Sequence, residues 1–253
     1  MIKVSNLCMD FRSELNGKKQ RVLKNLNFNV RAGDCLGVLG ESGSGKSTLG
    51  RILIGLLKPT SGEYLFENIN PYQDKHNKHH LSEHVSVVFQ DYVASVNPRF
   101  TVAEIIKESL NMLAKKQGKL KYIDEEISKL LKMVGLDDTY KNRFPHQLSG
   151  GQLQRVCIGR ALALKPSLIL FDEAISSLDA HTQVQIMDLL KKLQEQLNLT
   201  YIFITHDLMS VTYMCDKVMF LYNGEITECI KVDNIAQTTD DYAKKLLSTA
   251  IYI

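Results

Sequence analysis

No stretch of this 253-residue chain holds the roughly 18 to 20 consecutive apolar residues that a bilayer-spanning helix needs. The opening residues, Met1-Ile2-Lys3-Val4, lack the basic-then-apolar layout of a secretory leader. The protein is therefore expected to work outside the lipid. A basic field is missing too: 31 Lys and Arg stand against 28 Asp and Glu, a formal net charge of +3, which does not announce nucleic acid as a partner. The cysteines Cys8, Cys35, Cys157, Cys215 and Cys229 are scattered, odd in number and never spaced as Cys-x-x-Cys. That pattern argues against a disulfide framework or a clustered zinc site, and predicts reduced, mostly buried thiols in a cytosolic protein. Internal repeats and low-complexity tracts are also lacking.

What is present is ordinary in amount and informative in order. Hydrophobic residues make up 44%, ample for a core, and the length fits one large domain or a domain with an inserted subdomain. Short β-rich runs alternate with helical stretches, which favours an α/β architecture. Strands are expected at 2–7, 22–30, 35–39, 62–66 and 85–89, with a polar loop at Asn16-Gly17 and a helix from 46 to about 57, stopped by Lys58-Pro59. From 101 to about 134, Ile105, Ile106, Leu110 and Leu113, then Ile127, Leu130, Leu131 and Val134, recur at helical spacing and predict a helical insert. The alternation resumes with a strand at 168–171, a helix from 180 to about 197, a strand at 201–204, and a hairpin turning on Asn223-Gly224.

Gly40-Glu41-Ser42-Gly43-Ser44-Gly45-Lys46-Ser47, followed by Thr48, matches G-x-x-x-x-G-K-[ST] between an expected strand and an expected helix, the context the motif requires. Glycines let backbone N–H groups curl around an anion, and a helix start adds unsatisfied donors and a positive dipole end. Lys46 is expected to reach the β- and γ-phosphates of a bound nucleotide, and the Ser47 hydroxyl to ligate Mg²⁺. Asp172 and Glu173 end an apolar strand. The first suits Mg²⁺, and the second suits a general base that polarises water. Gln90 and His206 end two further apolar runs. If the sheet is parallel, all these strand ends converge on one reaction centre.

Leu148-Ser149-Gly150-Gly151-Gln152, followed by Leu153-Gln154-Arg155, resembles the signature motif of ABC ATPases, and the other elements fall in that family's order. Gln90 resembles its Q-loop, Ser176-Ser177-Leu178-Asp179 its D-loop and His206 its switch histidine, while Phe11 stands where the family stacks an aromatic on adenine. Ser177 replaces the usual alanine, and Ile175 a common threonine or valine; neither change removes a catalytic group. The resemblance implies one nucleotide-binding domain over 1–253: an ATPase core with a mostly parallel sheet and an antiparallel β subdomain over 1–90 and 165–253, and a helical subdomain over 91–164. It implies an ATPase using ATP and Mg²⁺, with Ser47, Gln90 and Asp172 on the metal and Glu173 as base. Ser149, Gly150 and Gly151 would bind the γ-phosphate of ATP held by a partner subunit.

Finer likeness in Phe89-Gln90-Asp91-Tyr92 and Ser95-Val96-Asn97-Pro98-Arg99 points to importers of dipeptides, oligopeptides and nickel, most like the second ATPase subunit of nickel or metal-chelate importers. The implied partners are a second ATPase subunit of different sequence, two transmembrane permeases meeting Asn97, Pro98, Arg99 and Phe100, and indirectly an extracytoplasmic binding protein, with no nucleic acid. The implied place is the cytoplasmic face of the membrane. Rival readings are an exporter subunit, a metabolic kinase, or a non-transport ABC ATPase, whose usual coiled-coil insert or second cassette is not seen. His76, His79, His80 and His84 read as a polar surface loop, with a metal-sensing site through His76 and His80 on one helical face as the alternative.

Overall fold

A computed structural model describes residues 1–12, 17–117 and 122–251; Asn16 of the expected loop lies outside them. In chain order the first elements are β1 (Ile2–Arg12), β2 (Lys19–Val30), β3 (Cys35–Leu39), α1 (Lys46–Leu53), β4 (Ser61–Phe66), α2 (Lys75–His84) and β5 (Val85–Phe89). Then come α3 (Val102–Gln117), α4 (Ile123–Met133), α5 (Gly150–Leu162), β6 (Leu168–Asp172) and α6 (Ala180–Leu197). β7 (Thr200–Thr205), α7 (Leu208–Met214), β8 (Lys217–Tyr222), β9 (Glu225–Lys231) and α8 (Asp241–Ile251) complete the order. The residues fall into two compact units, 1–82 with 200 onward, and 83–199.

In the first unit, β1 lies between β2 and β4 in an antiparallel sheet. A register shift falls between Val4 and Leu7, where Asn6 takes a left-handed φ of 49°; such bulges bend a strand locally. A parallel set stands beside it in the chain: β3 pairs with β7 on one side and β8 on the other, and β9 closes the set antiparallel to β8. Every residue of β3 and β7 is buried, as expected of parallel strands covered on both faces. The expected hairpin forms, with φ of 48° at Asn223 and 80° at Gly224.

The second unit holds the parallel pair β5 and β6 and helices α3, α4 and α5, of which α3 packs on the other two. The stripe Ile105, Ile106, Leu110 and Leu113 is buried. It is core, each such side chain contributing about 1.5 to 3 kcal/mol by leaving water.

Two expectations are corrected. Helix α1 stops at Leu53, a turn short of 57, because Gly55 takes φ 78° and the Leu56 and Leu57 N–H groups turn back to Arg51 O at 2.8 and 3.1 Å, a helix-closing geometry. The histidine-rich segment is helix α2 rather than a loop. Asp74 Oδ1 accepts the Asn77 N–H at 2.8 Å and caps it, and Leu81 is its one buried residue. Its polar composition hid the period. His80 pairs with Glu67 at 3.3 Å and lies against the Phe66 ring; among the described residues no group of three or more His, Cys, Asp or Glu is placed to hold a metal.

Candidate functional site

The phosphate loop leaves β3 at Gly40 and enters α1 through Gly45, whose φ of 107° is closed to residues bearing a Cβ. The first bond of the helix runs from the Leu49 N–H to Gly45 O at 2.9 Å. The N–H groups of Lys46, Ser47 and Thr48 precede that bond, the place where a helix start presents donors to an anion. Lys46 is only 7% exposed, and its Nζ donates to Gly40 O at 2.7 Å and Glu41 O at 3.0 Å. The ammonium is thus folded into its own loop, held by carbonyls that a phosphate oxygen can replace.

Strand register groups the expected site residues in two pairs, each inside one unit. Leu39 lies opposite Thr205 in parallel β3 and β7, so Gly40 and His206 leave neighbouring strand ends. Phe89 lies opposite Asp172 in parallel β5 and β6, so Gln90 emerges beside Asp172 and Glu173. Glu173 has φ 52°, an uncommon conformation for a residue with a long side chain. Its carbonyl accepts from the Ser176 hydroxyl at 2.9 Å and the Ser176 N–H at 3.2 Å. Gln90 Nε2 approaches the same Ser176 hydroxyl at 3.5 Å. The turn over 175–178 is fixed by Gln183, which donates to Ile175 O and Leu178 O at 3.0 and 3.1 Å. Asp179 caps α6 through the Thr182 N–H at 2.9 Å; that N–H, then the Thr182 hydroxyl, hold its carboxyl below the usual range. Phe11 sits near the end of β1 and is 39% exposed.

Ser149, Gly150, Gly151 and Gln152, expected to be signature residues, form the start of α5. Ser149 Oγ accepts the Gln152 N–H at 3.3 Å and Gln152 Oε1 accepts the Ser149 N–H at 2.9 Å, a capping box. The box uses Ser149 as acceptor, which leaves its O–H to donate. The first helical bond is Leu153 N–H to Ser149 O, so the Gly150 and Gly151 N–H groups precede the ladder. Both glycines are closely approached by neighbouring side chains, which a side chain there would have to displace: a Cβ would lie 2.6 Å from Tyr92 Oη at Gly150 and 2.5 Å from Thr182 Cγ2 at Gly151. Ser149, Gly151 and Gln152 line an open polar concavity of about 300 Å³ with Tyr140, Arg155 and Gln185. Leu148 is the residue between the turn at Pro145–Gln147 and the cap.

Fold and loop together define a nucleoside-triphosphate-binding protein of the phosphate-loop class. The chain belongs to the ABC transporter family, whose model matches residues 23–176. It is 43% identical over 234 residues to the oligopeptide transport ATP-binding protein OppF of Bacillus subtilis, spanning 90% of this chain and 75% of that one. It is 39% identical over 250 residues to the metal-staphylopine import system ATP-binding protein CntF of Staphylococcus aureus, spanning 98% of both. Among solved structures it resembles the dimeric post-hydrolysis ATP-binding cassette MJ0796 bound to ADP and Pi, at a TM-score of 0.80, 33% identity, and 92% and 99% coverage of the two chains. The chain is an ATP-binding and ATP-hydrolysing subunit of this family.

Several residues around the phosphate loop carry no motif. Tyr242 on α8 accepts the Glu41 N–H at 2.9 Å and stacks on Tyr222 at 4.3 Å between centroids. The hairpin turn adds the Gly224 N–H to Ser44 O at 3.0 Å. No local pattern signals either contact, since the partners meet only in the folded chain. Tyr242→Phe removes the acceptor and keeps the ring. It is expected to raise the ATP KM about 3- to 10-fold, the worth of one such hydrogen bond, with turnover at saturating ATP preserved. Steady-state ATPase kinetics check this; an unchanged KM would remove Tyr242 from any role in holding the loop.

Proposed function

We propose that this chain powers an importer as one of two ATPase subunits, its sister being a different chain, at the cytoplasmic face of two membrane permeases fed by an extracytoplasmic binding protein. Lys46 binds the β- and γ-phosphates through its Nζ, Phe11 stacks on adenine, and the loop from Gly40 to Thr48 wraps the phosphates. Ser47, Gln90 and Asp172 would hold Mg²⁺. Their hydroxyl, amide and carboxylate oxygens are the hard donors this ion takes, and it would supply charge neutralisation on the phosphates. Glu173 accepts the proton of the attacking water, and His206 steadies that water. The observation carrying the paired reading is the start of α5. The exposed Ser149 hydroxyl and the N–H groups of half-buried Gly150 and Gly151 form a donor cluster at a helix start, suited to the γ-phosphate bound by the other subunit. Loss of that phosphate removes the bridging charge and lets the pair part.

Among the described residues no helix is long and apolar enough to cross a membrane, which supports a peripheral place. The likeness to CntF, over 98% of both chains, supports metal-chelate cargo; the likeness to OppF supports peptides. The test is twofold. The tagged chain should co-purify with two multispanning proteins and a second ATPase. A deletion strain should lose uptake of radiolabelled nickel supplied with a chelator or of labelled oligopeptide, and regain it with the wild-type chain but not with Ser149→Arg. Isolation of the chain on ribosomes or DNA, with uptake intact, would replace this reading with a non-transport one.

A further inference from the structure

Cys35 and Cys215 are 180 residues apart in the chain, yet their sulphurs lie 3.4 Å from each other. Cys35 is 1% exposed and Cys215 8%. The backbone fixes this approach. Leu36 and Lys217 are register partners in parallel β3 and β8. The Asp216 N–H donates to Cys35 O at 2.9 Å, and the Cys35 N–H donates to the Asp216 carboxylate at 2.7 Å. Cys215, at the C-terminal cap of α7, is thereby anchored one residue from two long-range bonds. Gly37 completes the seat: a Cβ there would lie 3.2 Å from Cys215 Sγ and 2.6 Å from Val211 Cγ1, so α7 rests directly on the strand.

Neither thiol belongs to the phosphate chemistry described above. We propose that Cys35 and Cys215 are an oxidisable dithiol that closes to a reversible disulfide when a hydroperoxide reaches Cys215. Access comes through α7, a helix of seven residues with Met209 and Tyr213 exposed along it; so short a helix depends on its packing and opens locally far more readily than the fold unfolds. The Cys215 sulphur attacks one peroxide oxygen and the O–O bond breaks. This yields a sulfenic acid and an alcohol (water, from hydrogen peroxide), the thiol proton going to the departing oxygen. The Cys35 sulphur then attacks the sulfenic sulphur, the S–O bond breaks, and hydroxide leaves as water with the Cys35 proton. The two thiols lose two protons and two electrons in total, and the hydroperoxide takes up both pairs in becoming the alcohol and water. A dithiol reductant reverses the bond by exchange. Closure brings the sulphurs from 3.4 Å to about 2.05 Å. The bond would staple the strand that carries the phosphate loop to the helix that follows His206.

The test treats the full-length protein with hydrogen peroxide, alkylates remaining thiols under denaturing conditions, and maps peptides without reduction. A Cys35–Cys215 linked peptide is expected as the main product, removed by dithiothreitol. Cross-linking so long a loop is also expected to raise the thermal midpoint by about 5 °C or more over the re-reduced protein. Cys215→Ala should lack both the link and the shift, and Cys229→Ala, which removes the exposed thiol, should keep both. If Cys215→Ala does not fold, the wild-type peptide map decides alone. Recovery of Cys35 and Cys215 as alkylated thiols after Cys229 has been fully oxidised, or of Cys215 as a sulfinic acid with no link, overturns the proposal.

Discussion

Replacing Glu173 with glutamine is expected to lower ATP turnover by roughly 10²- to 10⁴-fold, the usual contribution of a positioned general base, while ATP binding stays within about 2-fold of wild type. Glutamine keeps the length of the side chain but cannot take a proton from water. The backbone should tolerate the exchange. Glu173 is held at φ 52° by bonds from Ser176 to its carbonyl, and those bonds do not involve the carboxylate. A loss of turnover therefore reports chemistry rather than folding. Phosphate release measured beside binding of a fluorescent ATP analogue separates the two. Near-normal turnover in the variant would assign the base to another residue.

The second large effect is on binding. Lys46→Ala is expected to weaken ATP affinity by about 10²- to 10⁴-fold, because two charge-assisted hydrogen bonds worth about 1.5 to 3 kcal/mol each go with the ammonium. The nucleotide-free protein should also lose stability, by about 1 to 3 kcal/mol for carbonyls deprived of a buried donor. Nζ donates to Gly40 O and Glu41 O from a site only 7% exposed. Lys46→Arg is the informative companion: it keeps the charge but brings a planar fork into a seat shaped for a compact ammonium. Isothermal titration with ATP and thermal denaturation of the apo protein read the two effects separately. An affinity within about 3-fold of wild type in Lys46→Ala would show that the loop amides and the α1 N-terminus hold the phosphates without the lysine.

Elements with strong local pattern were legible in advance. Apolar β3 and β5 and helix α6 fall at the expected residues, since periodicity and flanking turn residues are local properties. The family was legible in the same way, because its motifs are short runs whose chemistry dictates their residues. Where pattern was weak the reading failed. Helix α2 buries one residue and so carries almost no amphipathic signal, and α1 ends early because Gly55 turns left-handed, a choice made by the chain that follows. Burial of Ile105, Ile106, Leu110 and Leu113 became certain only once α3 had packed on α4 and α5.

By itself, then, the amino-acid order determined the kind of machine: a phosphate-binding loop between strand and helix, acids at a strand end, and a serine-glycine helix start, each specified by neighbours a few residues away. Tertiary structure alone decided which distant groups support that machinery. Tyr242 meets Glu41 across 201 residues, Gly224 meets Ser44, and Cys35 meets Cys215. The physical reason is that such contacts follow from strand register and helix packing, which are set by the burial of the whole core rather than by any run of sequence around the residues that touch.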